Sequence, residues 1–530
     1  MKKATIGLVG LLVIGLCATL AIGQVPKEVL VVGARTDIIV DLDPARAYEV
    51  FTDLVLEQYY DTLVDFEGGP TAFEKIEPGL AESWEVSDDG LTWIFHLRKG
   101  AKFHGGDEVT ADAVVFSFHR SLELDFAPIW ILSQYVPEKD MVRKVDDYTV
   151  TITTTEPVAE FIIASIVGFQ GICSIVDPSV VEAHKTADDP WANAWLKEHD
   201  AGSGPFILRE WSPNERVALD RFDDYWEGPA KVKRLIFKDI PEPATQKLAL
   251  EKGDIDIAWD LLPEQVDALR GTPGFELVEV PSWGIEYLSV NAGKPPFDKE
   301  EVRDAIRWAI DYDAIIYGIQ KGAAVPGQTF IPTGMFGHLD EVPYHKDVER
   351  AKNLLVAAGY PDGFEVELLS STHPRRVAIA TQVQADLAEI GVTAHISQMV
   401  SAQFYELYRG QAHEMLVAGW GVDYADPDAV AKPFAHCCTT GPEASVRQLA
   451  WRNMYADCDT TLMVEGAAKE LDSEKRKEMY CGIQRRILDK GPFAIFYYPL
   501  FRVVTTDNVK GVELAPMRSY TEFYGIYKEQ

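Results

Sequence analysis

Basic side chains are in short supply in this sequence. Fifty lysines and arginines stand against 83 aspartates and glutamates, a formal net charge of −33 over 530 residues. So acidic a chain is a poor partner for nucleic acid or for an anionic membrane surface, since both would repel it. Recognisable catalytic patterns are missing too. Walker A spacing, a dinucleotide-binding glycine fingerprint, an HExxH zinc helix and a nucleophile elbow are all absent. Gly202-Ser203-Gly204 misses the elbow spacing and reads as a turn. His436-Cys437-Cys438 invites a metal reading, but no second half with ligand spacing follows. No catalytic residue, metal or cofactor is therefore expected.

Long apolar runs are scarce as well. Lys2 and Lys3 precede an uncharged stretch from Ile6 to Ile22, and Ala21-Ile22-Gly23 supplies small residues where a signal peptidase reads. Residues 1–23 are expected to be an export signal cut before Gln24, with an uncleaved anchor as the alternative. No other stretch reaches the length of a membrane span. The mature protein is expected in the periplasm or on the extracellular side of the cytoplasmic membrane. Losing Lys2 and Lys3 leaves 48 basic against 83 acidic side chains, a net charge of −35. Five cysteines remain: Cys173, Cys437, Cys438, Cys458 and Cys481. A disulfide is expected between Cys437 or Cys438 and Cys458, and the odd count leaves a thiol unpaired.

The length suggests about three domains. Val29–Val32 reads as a strand, and Asp41-Leu42-Asp43-Pro44 as a turn into an apolar helix. Leu91, Trp93, Phe95 and Leu97 alternate with polar residues, as in a strand with one buried face. Thr110 is placed to cap a helix carrying Ala111, Val114, Phe118 and Leu122 on one face. From Ser282 the pattern becomes α/β. Asp298 and Glu301 have capping-box spacing ahead of Val302, Ala305, Ile306 and Ala309. Asp347 opens another helix that Gly359 ends, and a third ends at Gly391. Phe493–Tyr498 is a continuous apolar run and reads as a buried strand.

One stretch concentrates binding chemistry: Ala418-Gly419-Trp420-Gly421-Val422-Asp423-Tyr424-Ala425-Asp426-Pro427-Asp428. Gly419 and Gly421 let another backbone come close. A carboxylate beside an aromatic wall suits capture of an ammonium group. A strand end followed by an Asp-Pro turn with exposed acids is the plainer reading.

The chain resembles the extracytoplasmic solute-binding proteins of ABC importers, in the family of peptide and nickel binders. The likeness rests on Pro78-Gly79-Leu80-Ala81-Glu82-Ser83-Trp84, Phe95-His96-Leu97-Arg98-Lys99-Gly100, Asp112-Ala113-Val114-Val115-Phe116-Ser117, Gly202-Ser203-Gly204-Pro205-Phe206, Asp224-Tyr225-Trp226 and Ala357-Ala358-Gly359-Tyr360-Pro361. It implies a two-lobed α/β periplasmic-binding-protein fold (type II, cluster C) with an additional domain on the first lobe. The first lobe would combine 24–57, 196–282 and 485–530, the extra domain 58–195, and the second lobe 283–484. The lobes would close on ligand at a hinge. It also implies a monomeric binding protein rather than an enzyme, whose partners are a peptide or other small solute and a membrane permease with its ATPase subunits. Another solute (oligosaccharide, opine-like amine or metal chelate) or an exported hydrolase are the alternatives.

Peptide-binding members carry an aspartate three residues after a tryptophan as anchor for the α-ammonium. That pattern falls on Trp420 and Asp423, with Asp426 and Asp428 left as turn and surface residues. The backbone at Gly419–Gly421 would pair with the peptide, Trp420 would wall the first side-chain pocket, and Tyr424 would form its rim. Arg375 or Arg376 would hold the ligand carboxylate, the alternative being solvated residues at a helix start. Trp283, Tyr287, Tyr497 and Tyr498 would border the cleft or pack in the core.

Overall fold

The computed structural model describes residues 25–529, apart from 67, 68, 70–72, 74 and 445. The expected export signal lies outside them. No helix among the described residues is long and apolar enough to cross a membrane.

The architecture is organised by the strand Phe493–Thr506. Its apolar run is longer than Phe493–Tyr498, because Phe501, Val503 and Val504 are buried as well. The first residues of this strand pair antiparallel with Ile285–Val290, which in turn pairs with Met415–Trp420. Glu365–Ser371 and Thr393–Met399 complete that half of the sheet by parallel pairing. The later residues pair with Phe275–Pro281 and Ile257–Ala258. From there Val29–Ala34, Arg234–Asp239, Arg216–Arg221 and Phe206–Ser212 follow. One strand therefore serves both halves. The sequence-based division gave 485–530 wholly to the first lobe, whereas Phe493–Tyr497 is built into the second-lobe sheet.

Residues 81–153 hold a separate antiparallel sheet in the order Ala81–Val86, Thr92–Leu97, Thr149–Thr153, Val142–Asp146. Trp93, Phe95 and Leu97 bury one face, as alternation requires. Helix Ala111–Leu124 closes over it with Ala111, Val114 and Phe118 inward, and Thr110 occupies the N-cap position without making a side-chain cap bond. The extra sheet and its helices are tied to the first lobe by a buried pair, Arg120 to Asp43 at 2.6 and 2.8 Å. They also meet the second lobe: Ala159 N donates to Ala468 O (3.3 Å), and Lys469 pairs with Glu156 at 2.7 Å. Packing on the first lobe was expected; the apolar cluster of this region also continues into helices 428–435 and 473–490.

Helix starts match sequence chemistry in part. Asp347 accepts from Arg350 N at 2.9 Å and caps Val348–Ala357, and Gly359 and Gly391 take positive φ just beyond their helices. The expected capping box at Asp298 does not form. The helix begins at Glu300 after Lys299, because backbone turns, Asp298 N to Lys294 O and Lys299 N to Pro296 O, already occupy the approach. Its stripe of Val302, Ala305, Ile306 and Ala309 is buried nonetheless.

The structure joins Cys438 to Cys458. Cys437, the other candidate, is a buried thiol whose Sγ points at Thr439 O.

Candidate functional site

Three carboxylates follow Trp420, and the structure treats them differently. Asp426 is fully buried and accepts two bonds from the Arg476 guanidinium, at 2.7 and 2.9 Å. Asp428, equally buried, is met by Lys432 Nζ at 2.8 Å and by the Tyr424 hydroxyl at 2.7 Å. These two are structural ion pairs, not the turn and surface residues expected from sequence. An Asp-Pro turn here is wound into helix 428–435, whose first turn packs inward.

Asp423 differs from both. Its one polar partner among the described residues is the Tyr48 hydroxyl, which donates to Oδ1 at 3.3 Å from the other side of the gap between the lobes. No lysine or arginine pairs with it among the described residues. Burial pushes its carboxyl up to about 6, and the Tyr48 hydrogen bond only partly offsets that. Asp423 is thus a largely desolvated carboxylate with no cationic partner among the described residues.

Aromatic groups surround it. Trp130 Nε1 donates to the Tyr48 oxygen at 3.3 Å, and the Trp130 ring lies 6.4 Å from that of Tyr424. Tyr424 itself is buried, so it backs the site through its ring and does not form an open rim. Trp420 is half-buried, with the Arg452 guanidinium 5.9 Å from its ring centre and its indole N–H unpartnered among the described residues.

The two glycines have different uses. A Cβ on Gly421 would meet nothing within 4 Å, so its backbone faces open space. A Cβ on Gly419 would lie 2.5 Å from Glu286 Oε1 and 2.9 Å from Arg376 Nη2, so the chain's own side chains fill that room. Parallel pairing to 365–371 covers only Met415 and Leu416, which leaves the Val417–Trp420 edge without a strand partner among the described residues on that side.

Arg375 and Arg376 stand at the start of helix Pro374–Glu389 but are not freely solvated. Arg376 is half-buried and reaches Glu286 Oε1 at 3.4 Å and the Tyr405 hydroxyl at 3.5 Å. That commits it to the fold. Arg375 lies beside the Tyr497 hydroxyl and is close enough to lower the pKa of Arg502 and Arg518 on the first lobe by like-charge repulsion, after burial. Arginines therefore cluster near Arg375, although Arg376, Arg502 and Arg518 each face a carboxylate of their own: Glu286, Asp267 and Asp260. From Gly419, which abuts Arg376, to Asp423 is four residues, at most about 14 Å of extended chain.

The remaining candidates belong to the interior. Trp283 is 2% exposed and packs 4.7 Å from the Phe73 ring. Tyr287 is buried with its hydroxyl 3.3 Å from that of Tyr408. The Tyr498 hydroxyl donates to Thr329 O at 2.7 Å, and Gly327 makes space for its ring. Tyr497 is buried in the second-lobe core and only its hydroxyl faces Arg375. Sequence reasoning missed Tyr48, Trp130 and Glu286. Tyr48 is 375 residues from Asp423, and no local pattern links the two.

This geometry has relatives. The model for bacterial extracellular solute-binding proteins, family 5, matches residues 75–442. Heme-binding protein A of Haemophilus influenzae is 29% identical over 493 residues, covering 89% of this chain and 87% of that protein. The dipeptide-binding protein of Escherichia coli is 30% identical over 482 residues, covering 86% and 87%. The structure of the ABC transporter-associated periplasmic binding protein DppA from Helicobacter pylori, in complex with the peptide STSA, superposes with a TM-score of 0.75 at 28% identity over 95% of this chain and 98% of that one. The fold is that of the two-lobed periplasmic binding proteins, and the chain belongs to the bacterial extracellular solute-binding proteins of family 5.

Proposed function

We propose that this protein captures short peptides, di- or oligopeptides with a free α-ammonium, in the gap between its lobes and delivers them to the permease of an ABC importer. The observation that carries the reading is the unpaired carboxylate of Asp423, set among Tyr48, Trp130 and Trp420 while its two neighbours are neutralised within the fold. An ammonium there satisfies the carboxylate and sits against aromatic rings. The exposed backbone at Gly421 and the unpaired edge of 417–420 offer main-chain hydrogen bonds that grip peptides irrespective of side chain. Arg375, which lies near Glu286 but makes no ion pair among the described residues, takes the ligand carboxylate. Arg376 does not, since Glu286 already holds it.

The protein acts outside the cytoplasm as a monomer and binds without turnover. Closure brings Tyr48 of the first lobe against Asp423 of the second, which couples occupancy of the anchor to lobe position. Calorimetry with di- to pentapeptides tests the reading. Stoichiometric heat with a native dipeptide is expected, with a loss of at least ~2 kcal/mol in Asp423→Ala, as when a buried ammonium loses its partner. Equal affinity for N-acetylated and free peptides would overturn the anchor.

A further inference from the structure

A second concentration of carboxylates lies away from the interlobe gap. Glu57 follows helix Val50–Leu56, Asp65 stands on the strand Val64–Phe66, and Glu522 belongs to the C-terminal tail. Carboxylate oxygens of the three lie within 4.8 Å of one another. They line a cavity of about 470 Å³ whose walls also carry Asp61 and Glu227. Among the described residues Arg98 is the one basic side chain lining it, and its guanidinium is spent on Gly79 O at 2.7 Å and on the Trp226 ring face at 3.4 Å.

The three carboxylates are held in place rather than merely adjacent. Gln58, next to Glu57, donates from Nε2 to Thr521 O at 3.1 Å and accepts from Phe523 N at 2.9 Å, so it clamps the tail on both sides of Glu522. Phe66 N donates to Asp65 Oδ1 at 2.7 Å and fixes that carboxyl. Glu57 is 7% exposed, and its Oε2 is buried with no hydrogen-bond partner among the described residues. Asp61 has no such need: Ser203 and Tyr225 hydroxyls donate to its two oxygens. Three carboxylates without an ion-pair partner among the described residues are costly in one cavity unless a cation or protons neutralise them. Burial first, and then repulsion from neighbouring carboxylates, holds all three above the usual carboxylate range.

We propose that Glu57, Asp65 and Glu522 form a site for a hard divalent cation of calcium type, which fastens the C-terminal tail and the strand 64–66 to the first-lobe helix. The donors are all oxygen, which suits calcium or magnesium rather than a thiolate-seeking metal. Calcium is favoured over magnesium because it accepts irregular oxygen sets, whereas magnesium demands near-octahedral geometry. Water in the cavity completes the six to eight oxygens it requires. The site shares no lining residue with the Asp423 anchor.

Terbium serves as the probe, because Trp226 lines the cavity and can sensitise its luminescence. Chelator-treated protein excited at the indole band is expected to give terbium emission that millimolar calcium quenches by displacement, with magnesium a weaker competitor. Calcium is also expected to raise the melting temperature. Glu57→Gln/Glu522→Gln should lose the emission and the calcium-dependent shift, whereas Asp423→Asn should keep both. If the double variant does not fold, Asp65→Asn alone must weaken terbium binding at least ~10-fold, as loss of a ligand requires. Absence of emission from the wild-type protein, emission undiminished in these variants, or magnesium competing better than calcium would overturn the proposal.

Discussion

Peptide affinity should be bell-shaped in pH, and the acid limb should belong to Asp423. Burial holds its carboxyl near 6 in the unliganded protein, well above the ordinary 3.8. Only the ionised form attracts an ammonium. Going from pH 7.5 to pH 5 lowers the ionised fraction from about 97% to about 9%, so Kd should rise roughly 10-fold. The ligand contributes nothing on that side: its own carboxylate, with a pKa of about 3.5, stays charged, and its α-ammonium deprotonates only above about 7.7, which sets the alkaline limb. The same shift has a stability consequence of opposite usefulness. Because the folded pKa exceeds the unfolded one, the ionised group destabilises the unliganded fold, and that penalty grows as pH rises from about 4 through about 6. A two-unit shift corresponds to at most about 3 kcal/mol, less after solvent screening at a half-buried site. Asp423→Asn keeps an acceptor for the Tyr48 hydroxyl but cannot ionise. It should bind a dipeptide weakly and without an acid limb, and at pH 7 it should resist urea better than the wild type while matching it at pH 4. Calorimetry from pH 5 to pH 8 and urea melts at both ends read the two effects. A wild-type Kd that is flat between pH 5 and pH 7, or an acid limb that survives in Asp423→Asn, would refute the reasoning.

Removing Arg476 should be far more damaging to the fold than removing Asp423: Arg476→Ala strands the buried Asp426 carboxylate and should cost about 3–5 kcal/mol in urea melts. Arg375→Ala should weaken binding of a free peptide about 10-fold but leave a C-terminally amidated peptide unchanged, while a loss of affinity for both would mean that Arg375 acts only by packing. Reduction of Cys438–Cys458, which closes a loop of 20 residues, should lower stability by about 3 kcal/mol, seen as a reduced melting temperature in dithiothreitol. Gly202→Ala puts a Cβ 1.9 Å from the Tyr59 carbonyl oxygen, where only backbone movement gives room; about 1–3 kcal/mol of destabilisation is expected, and a neutral variant would show that the turn yields easily.

Periodicity made the strands and helices legible, because burial of one face imposes it locally. Trp93, Phe95 and Leu97, or Val302, Ala305, Ile306 and Ala309, announce their inward sides without reference to anything distant. The family likeness carried the lobes and singled out Asp423. What sequence did not carry depends on contacts across long separations. Nothing near Asp426 or Asp428 predicts that Arg476 and Lys432 will neutralise them, yet those two pairs separate the three acids chemically. Tyr48 reaches Asp423 from a distant part of the chain, with Trp130 behind it, and Glu286 is close enough to bond Arg376 but not Arg375. The misplaced capping box has the same origin: the residue types were right, but backbone turns between Lys294 and Lys299 had already used the approach to the helix.

If Asp423 is the ammonium anchor we propose, the contrast among the three acids accounts for its selectivity in a protein this negative. General acidity attracts cations to the whole surface but distinguishes none of them, and salt screens it beyond about 8–10 Å. Selectivity requires a carboxylate that is removed from water and denied a partner inside the fold, so that a ligand's ammonium is the best partner on offer. Burying such a group costs stability, which is why Asp426 and Asp428 are each held in an ion pair while Asp423, of the three, has none among the described residues. Tyr48 holds that carboxylate by a single long hydrogen bond at 3.3 Å, which orients the group without supplying a charge. A ligand ammonium can therefore enter without first displacing an ion pair, and the free energy it releases goes into holding the lobes together around it.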